Sequence, residues 1–191
     1  MVQLVPANPL GNGWVGSPDP FSIIGDSNWT DVCATASAAF DPPPPPPAAA
    51  AALPHYAQVC ARIGESHFNG GGSVEPALCL LLAANGTWFA RQHAAVLANG
   101  TLLTEAAAAG SEPGAGFDPT RPRVLSVCVR NATFSGSADG APLFSVEAPG
   151  AGRGGYMAAG RVALGSGYHG AAFDDFAVVQ APLPPGHWQP T

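Results

Sequence analysis

The residues of this chain most able to do chemistry lie near its end, in Gly165-Ser-Gly-Tyr-His-Gly-Ala-Ala-Phe-Asp-Asp-Phe176. A glycine-rich turn here feeds a strand that mixes aromatic and acidic residues. Period 2 along Phe173-Asp174-Asp175-Phe176 would set Phe173 and Asp175 on one face and Asp174 and Phe176 on the other. A carboxylate inside a sheet is costly unless it is paired or bound to a cation. Carboxylate with backbone oxygen is the donor set of calcium, and Asp26, after the first strand, is the acid expected to join Asp174, with Asp31 a distant third. The competing expectation is a carboxylate held by loop amides alone.

Aromatic faces flanked by polar groups are the usual platform for a sugar, which nominates Tyr168, His169, Trp88 and Trp29. Trp29 and Trp88 compete for a place in the core, and Tyr168-His169 for a capping role at the sheet end. Ser166, His169 and Asp174 can be written as a catalytic triad, but no nucleophile elbow surrounds the serine, so the triad is rejected. His55, His67, His93 and His187 are isolated and lack zinc spacing.

Cys33, Cys60, Cys79 and Cys128 are an even set without metal-ligand spacing, and three disulfide connectivities are open. Four N-glycosylation sequons accompany them, at Asn28, Asn85, Asn99 and Asn131. Together they favour a secretory or lysosome-like route over a reducing one. Met1-Val-Gln-Leu-Val-Pro6 has neither a basic nor an apolar leader region, so the true N-terminus is expected upstream. Only 10% of the 191 residues are charged, the net charge is −6, and all seven cations are arginine. That balance cannot neutralise a run of phosphates, which excludes nucleic acid as a partner. No apolar run approaches the ~18 residues of a membrane span.

The elements that must position these residues are strands. Phe21 to Ile24, Trp29 to Phe40, Tyr56 to Ile63, Arg123 to Arg130, Gly160 to Leu164 and Ala172 to Gln180 read as strands. Hairpins are expected across Asn85-Gly86, Asn99-Gly100 and Asp139-Gly140. In Tyr56 to Ile63, Ala57, Val59, Ala61 and Ile63 should share one face. Ala106 to Ala109 has the pattern of one helical turn, ended by Gly110 and Pro113. Ten to twelve short strands with regular turns predict an all-β antiparallel sandwich or jelly roll. Residues 1–19 read as a linker, 20–181 as the domain and 182–191 as a tail. The Pro/Ala-rich stretch 41–54 reads as an exposed polyproline-II insert in the domain.

In their order along the chain, six elements resemble one family. They are Pro20-Phe-Ser-Ile-Ile-Gly-Asp26 with Trp29-Thr-Asp31, Tyr56-Ala-Gln-Val-Cys-Ala-Arg62, Asn85-Gly-Thr-Trp88, Ser137-Ala-Asp-Gly140 with Leu143, Leu164-Gly-Ser-Gly-Tyr168, and Phe173-Asp-Asp-Phe176. The stretch resembles the C-terminal lectin-like domain of galactocerebrosidases, glycoside hydrolase family 59. Asp175 departs from the family's usual Asn, and the polyproline insert has no counterpart there. The resemblance implies a concanavalin-A-like jelly roll, one structural Ca²⁺ near the acidic strand, and a lysosomal, vacuolar or secreted setting. It also implies a galactosyl lipid or glycan as ligand and a catalytic TIM barrel as partner.

Family chemistry needs two carboxyls about 5 Å apart on rigid supports. Glu65, Glu75, Glu105, Glu112 and Glu147 are scattered, and no βα alternation exists to build a barrel. No catalytic residue is therefore expected in this chain. The functional expectation is an accessory lectin-like domain of a galactosylceramidase-type hydrolase. The alternatives are a stand-alone carbohydrate-binding module and a structural extracellular sandwich.

Overall fold

The computed structural model describes residues 2–3, 21–40, 55–64, 77–92, 95–102, 117–167 and 171–180. The 41–54 insert, the Ala106–Ala109 turn, Tyr168 and His169, and every glutamate except Glu147 lie outside them. The strands are β1 (Val2–Gln3), β2 (Phe21–Ile24), β3 (Val32–Phe40), β4 (Tyr56–Ile63), β5 (Leu78–Ala83), β6 (Thr87–Gln92), β7 (Ala95–Thr101), β8 (Arg123–Arg130), β9 (Thr133–Ala138), β10 (Ala141–Glu147), β11 (Arg161–Ser166) and β12 (Ala171–Gln180). Val2–Gln3, in the stretch read as a linker, pairs with Ala171 and Ala172.

The strands form two six-stranded antiparallel sheets. Sheet A runs β1-β12-β3-β8-β9-β10 and sheet B runs β2-β11-β4-β5-β6-β7. Among the described residues there is no helix. The expected all-β jelly-roll sandwich is the observed architecture.

Alternation builds the core. On β3, Val32, Ala34, Ala36, Ala38 and Phe40 face inward, while Cys33, Thr35 and Ser37 face out. Across from them sheet B contributes Ala57, Val59, Ala61, Leu78, Leu80 and Leu82. Small alanines on β3 and β4 leave room for the leucines of β5 and for Phe134, which is the large-against-small interdigitation a dense core requires. The outer face of sheet B carries a second apolar layer of Tyr56, Cys60, Ile63, Cys79, Leu81 and Ala163.

Two expected hairpins form. Gly86 N–H donates to Ala83 O at 2.9 Å in the β5–β6 turn, and Asp139 and Gly140 both take positive φ between β9 and β10. The Asn99-Gly100 hairpin does not form. Both residues lie inside β7, which pairs with β6 through Phe89–Asn99 and Trp88–Gly100. Gly100 serves there as a bed for the Trp88 ring; a Cβ would meet that ring at 2.7 Å.

Two bulges overturn the expected facing of side chains. At Arg62 (φ 55°) the β4–β11 register shifts, so Ile63 joins the outer layer instead of following Ala57, Val59 and Ala61 inward. At Asp175 (φ 49°) two residues of β12 oppose one of β3, because Asp174 pairs with Ser37 and Ala177 with Thr35. Phe173 and Phe176 consequently both face the core, and both aspartates are exposed. The strict period-2 reading put an acid on each face; the extra residue relieves that cost.

Candidate functional site: a clamped loop carrying Tyr156

The loop between β10 and β11 is built from glycines and held from beneath by buried polar side chains. Met157 N–H donates to Gly150 O (3.0 Å), Gly155 N–H to Gly152 O (2.9 Å) and Ala158 N–H to Gly155 O (3.1 Å). Gly155 packs so closely that a Cβ would strike Gly150 O at 2.1 Å. Glycines at these positions let the loop fold on itself as larger residues would not.

Arg62 fixes the loop to the sandwich. Its side chain is 1% exposed. Nε donates to Thr30 O at 2.8 Å, and Nη1 donates to Met157 O at 3.1 Å and to Ala151 O. Nη2 lies 3.6 Å from Asp31, whose Oδ1 also accepts the Asn131 N–H at 2.7 Å. Burial pulls the guanidinium below its ordinary pKa, and the Asp31 charge partly offsets this. One arginine thus ties the β2–β3 turn, the end of β4 and the 148–160 loop together. Gly160 N–H to Trp29 O (3.0 Å) closes the same knot.

Tyr156 stands on this loop. It is 67% exposed and is the one exposed aromatic among the described residues. Its ring lies over Gly150, where a Cβ would meet it at 2.2 Å. Buried Gln92 donates through Nε2 to the Tyr156 hydroxyl (2.9 Å) and to Pro149 O (2.6 Å). The phenol is oriented from its polar end, and the ring it carries is two-thirds exposed. An amphipathic ring on a rigid loop is what a ligand platform needs. Sequence reasoning missed it; the signal was the run Gly150, Gly152, Gly154, Gly155 before a tyrosine, which passes equally well for a plain connection.

The expected site residues are dispersed. Trp88 is a core residue, 7% exposed and stacked on Phe144 at 5.7 Å, so it offers no face to a sugar. Trp29 is half-buried against the core and packs on Gly25. Asp174 opposes Ser37 in the β12–β3 ladder, and Asp26 lies in the turn between β2 and β3. Each accepts a local N–H, Asp26 from Asn28 and Asp174 from Asp175, both at 2.9 Å. Among the described residues no group of three or more His, Cys, Asp or Glu side chains could hold a metal. Asn28, Asn85, Asn99 and Asn131 are all exposed. All four cysteines are paired, Cys33–Cys128 and Cys60–Cys79, each across directly opposed residues of neighbouring strands.

The sheet faces offer less than the loop. On the outer face of sheet B, Gln58, Cys60, Leu81 and Ala163 are at most 2% exposed. The outer face of sheet A carries the small hydroxyls of Thr35, Ser37, Ser126 and Ser137, with Thr35 and Ser126 bonded to each other at 2.8 Å. It has no exposed aromatic among the described residues.

Sandwich, sheet order and strand pairing define a galectin-like fold, and solved structures share it. A carbohydrate-binding module, CBM66, from Bacillus subtilis matches 84% of this chain and 81% of its own, at 10% identity and a TM-score of 0.56. A Bacillus subtilis protein of unknown function with a galectin-like fold matches 85% of this chain and 77% of its own, at 14% identity and a TM-score of 0.57. A Trypanosoma rangeli sialidase mutant matches 81% of this chain but only 21% of its own, at 13% identity and a TM-score of 0.50. Neither a protein-family profile nor a curated protein matches the sequence.

Proposed function

We propose that this chain is a lectin-like carbohydrate-binding domain, with the exposed, clamped ring of Tyr156 as its sugar platform. The observation that carries the reading is that exposed ring, bonded to Gln92 at its hydroxyl and seated on Gly150, on a fold shared with a carbohydrate-binding module. Within this reading the domain is the accessory part of a galactosylceramidase-type hydrolase in a lysosomal, vacuolar or secreted setting. Its partners are a catalytic barrel carried elsewhere and a galactosyl lipid or glycan. The six ordered motifs from Pro20 to Phe176 support that finer assignment. A structural calcium ion belongs to it at Asp174, and a fall in melting temperature on chelation is the expected sign.

A second reading is favoured by coverage. The chain spans most of the length of the CBM66 structure and about a fifth of the sialidase, so a stand-alone binding module fits as well as a piece of an enzyme. Screening on a glycan array that includes β-galactosides and galactosylceramide vesicles tests both readings. Binding to galactosyl ligands that Tyr156→Ala removes, at an unchanged melting temperature, supports the proposal. Silence across the array sinks it, and binding that survives Tyr156→Ala moves the site elsewhere.

A further inference from the structure

β7 is the outermost strand of sheet B, and among the described residues no strand pairs with its free edge. Such an edge offers N–H and C=O groups to any other extended chain, and proteins blunt it with shortness, charge, proline or bulges. The other edges here follow that rule. β1 has two residues and β2 has four. β10 carries Pro142 and Glu147, with a register shift between Pro142 and Phe144.

β7 is seven residues long, Ala95-Val-Leu-Ala-Asn-Gly-Thr101, with neither charge nor proline, and Val96 is 46% exposed. Its bulge lies at Leu97, since Ala90 opposes Ala98 and Arg91 opposes Val96. The half from Ala98 to Thr101 is regular and pairs residue for residue with Thr87 to Ala90. Lysine, the commonest edge guard, is absent from the whole chain. The regular half instead holds the sequon Asn99-Gly-Thr101, with Asn99 exposed. Asn28, Asn85 and Asn131 all lie between strands; Asn99 alone among the four is in one.

We propose that Asn99 is an N-glycosylation site whose glycan shields the edge of β7 from a second copy of this chain. The Asn99 carboxamide nitrogen loses a proton and forms a bond to the anomeric carbon of an oligosaccharide. The donor is a polyprenyl-diphosphate-linked oligosaccharide, whose anomeric C–O bond breaks as the lipid diphosphate leaves. Pairing of all four cysteines fits the oxidising route on which such donors are met. The proposal is independent of the sugar-binding reading and does not use Tyr156.

The test is secretion of the full chain from a eukaryotic host, peptide mass spectrometry for occupancy at Asn99, and light scattering for oligomeric state across a concentration series. A glycosylated monomer is expected. Asn99→Gln and Thr101→Ala should each lose that glycan and double in mass as concentration rises. Adding Val96→Lys to Asn99→Gln should restore the monomer, which separates edge pairing from misfolding. Near-UV circular dichroism checks the fold of each variant, and Thr101→Ala carries the test if Asn99→Gln does not fold. An unoccupied Asn99, monomeric sequon-less variants, or association that Val96→Lys leaves intact would each overturn the proposal.

Discussion

Arg62 directs its guanidinium at three main-chain carbonyls and one carboxylate, and the loop that presents Tyr156 hangs from it. Arg62→Met would leave those carbonyls buried and unanswered, at a cost of about 3–5 kcal/mol, read from urea unfolding. Arg62→Lys should recover only part of this, because an ammonium cannot reproduce the planar fork. At the opposite end of the sandwich Asp118 accepts the Thr120 hydroxyl (2.7 Å) and the Thr120 N–H (2.9 Å). These bonds hold its pKa below the ordinary carboxylate value, the hydroxyl bond being the larger cause. A lowered folded pKa adds stability that is present above the unfolded value of about 3.9 and is lost as pH falls through the folded one. In a carboxyl NMR titration Thr120→Ala should move Asp118 back up; an unmoved Asp118 would count against this origin. Neither role is legible in the sequence. Alternation along β4 sets Arg62 only on the face opposite Ala57, Val59 and Ala61, and the bulge with its positive φ at Arg62 has no mark in the sequence.

Strands were the legible level, since period-2 patterns in β3, β4 and β8 and the Asn-Gly and Asp-Gly turns locate most of them. Bulges were not, because one extra residue has no compositional mark. The reversal of Ile63, the shared inward facing of Phe173 and Phe176, and the place of Asn99 within a strand all come from partner strands. Trp88 shows the same limit at the site: a tryptophan suited to sugar stacking becomes core once Gly100 and Phe144 make room for it. At Asp175 the left-handed backbone predicts a sharp side-chain dependence. Asp175→Gly should be neutral or slightly stabilising, and Asp175→Val should cost about 1–2 kcal/mol by thermal melting. The disulfides act on elements too. Removing Cys33–Cys128, which closes a 95-residue separation, should cost about 4–5 kcal/mol, against about 3 for Cys60–Cys79 at 19 residues. Double Cys→Ala variants unfolded in denaturant check that order.

The whole molecule is two stapled sheets joined by packing, since Cys33–Cys128 lies within sheet A and Cys60–Cys79 within sheet B. Leu80 of sheet B lies close to Gly136 and the Phe144 ring of sheet A. Leu80→Ala should therefore cost about 2–5 kcal/mol, and both sheets should melt together by far-UV and tryptophan signals; separate transitions would mean the sheets fold alone. The longer staple has another effect. Every peptide bond between Cys33 and Cys128, the proline-rich stretch included, lies inside the ring that this disulfide closes. A protease that cuts once anywhere in that ring produces two polypeptides that still travel as one molecule. Such a nicked form runs as one band without reductant and two with it, so the domain can pass through a protease-rich compartment, be cleaved, and stay assembled.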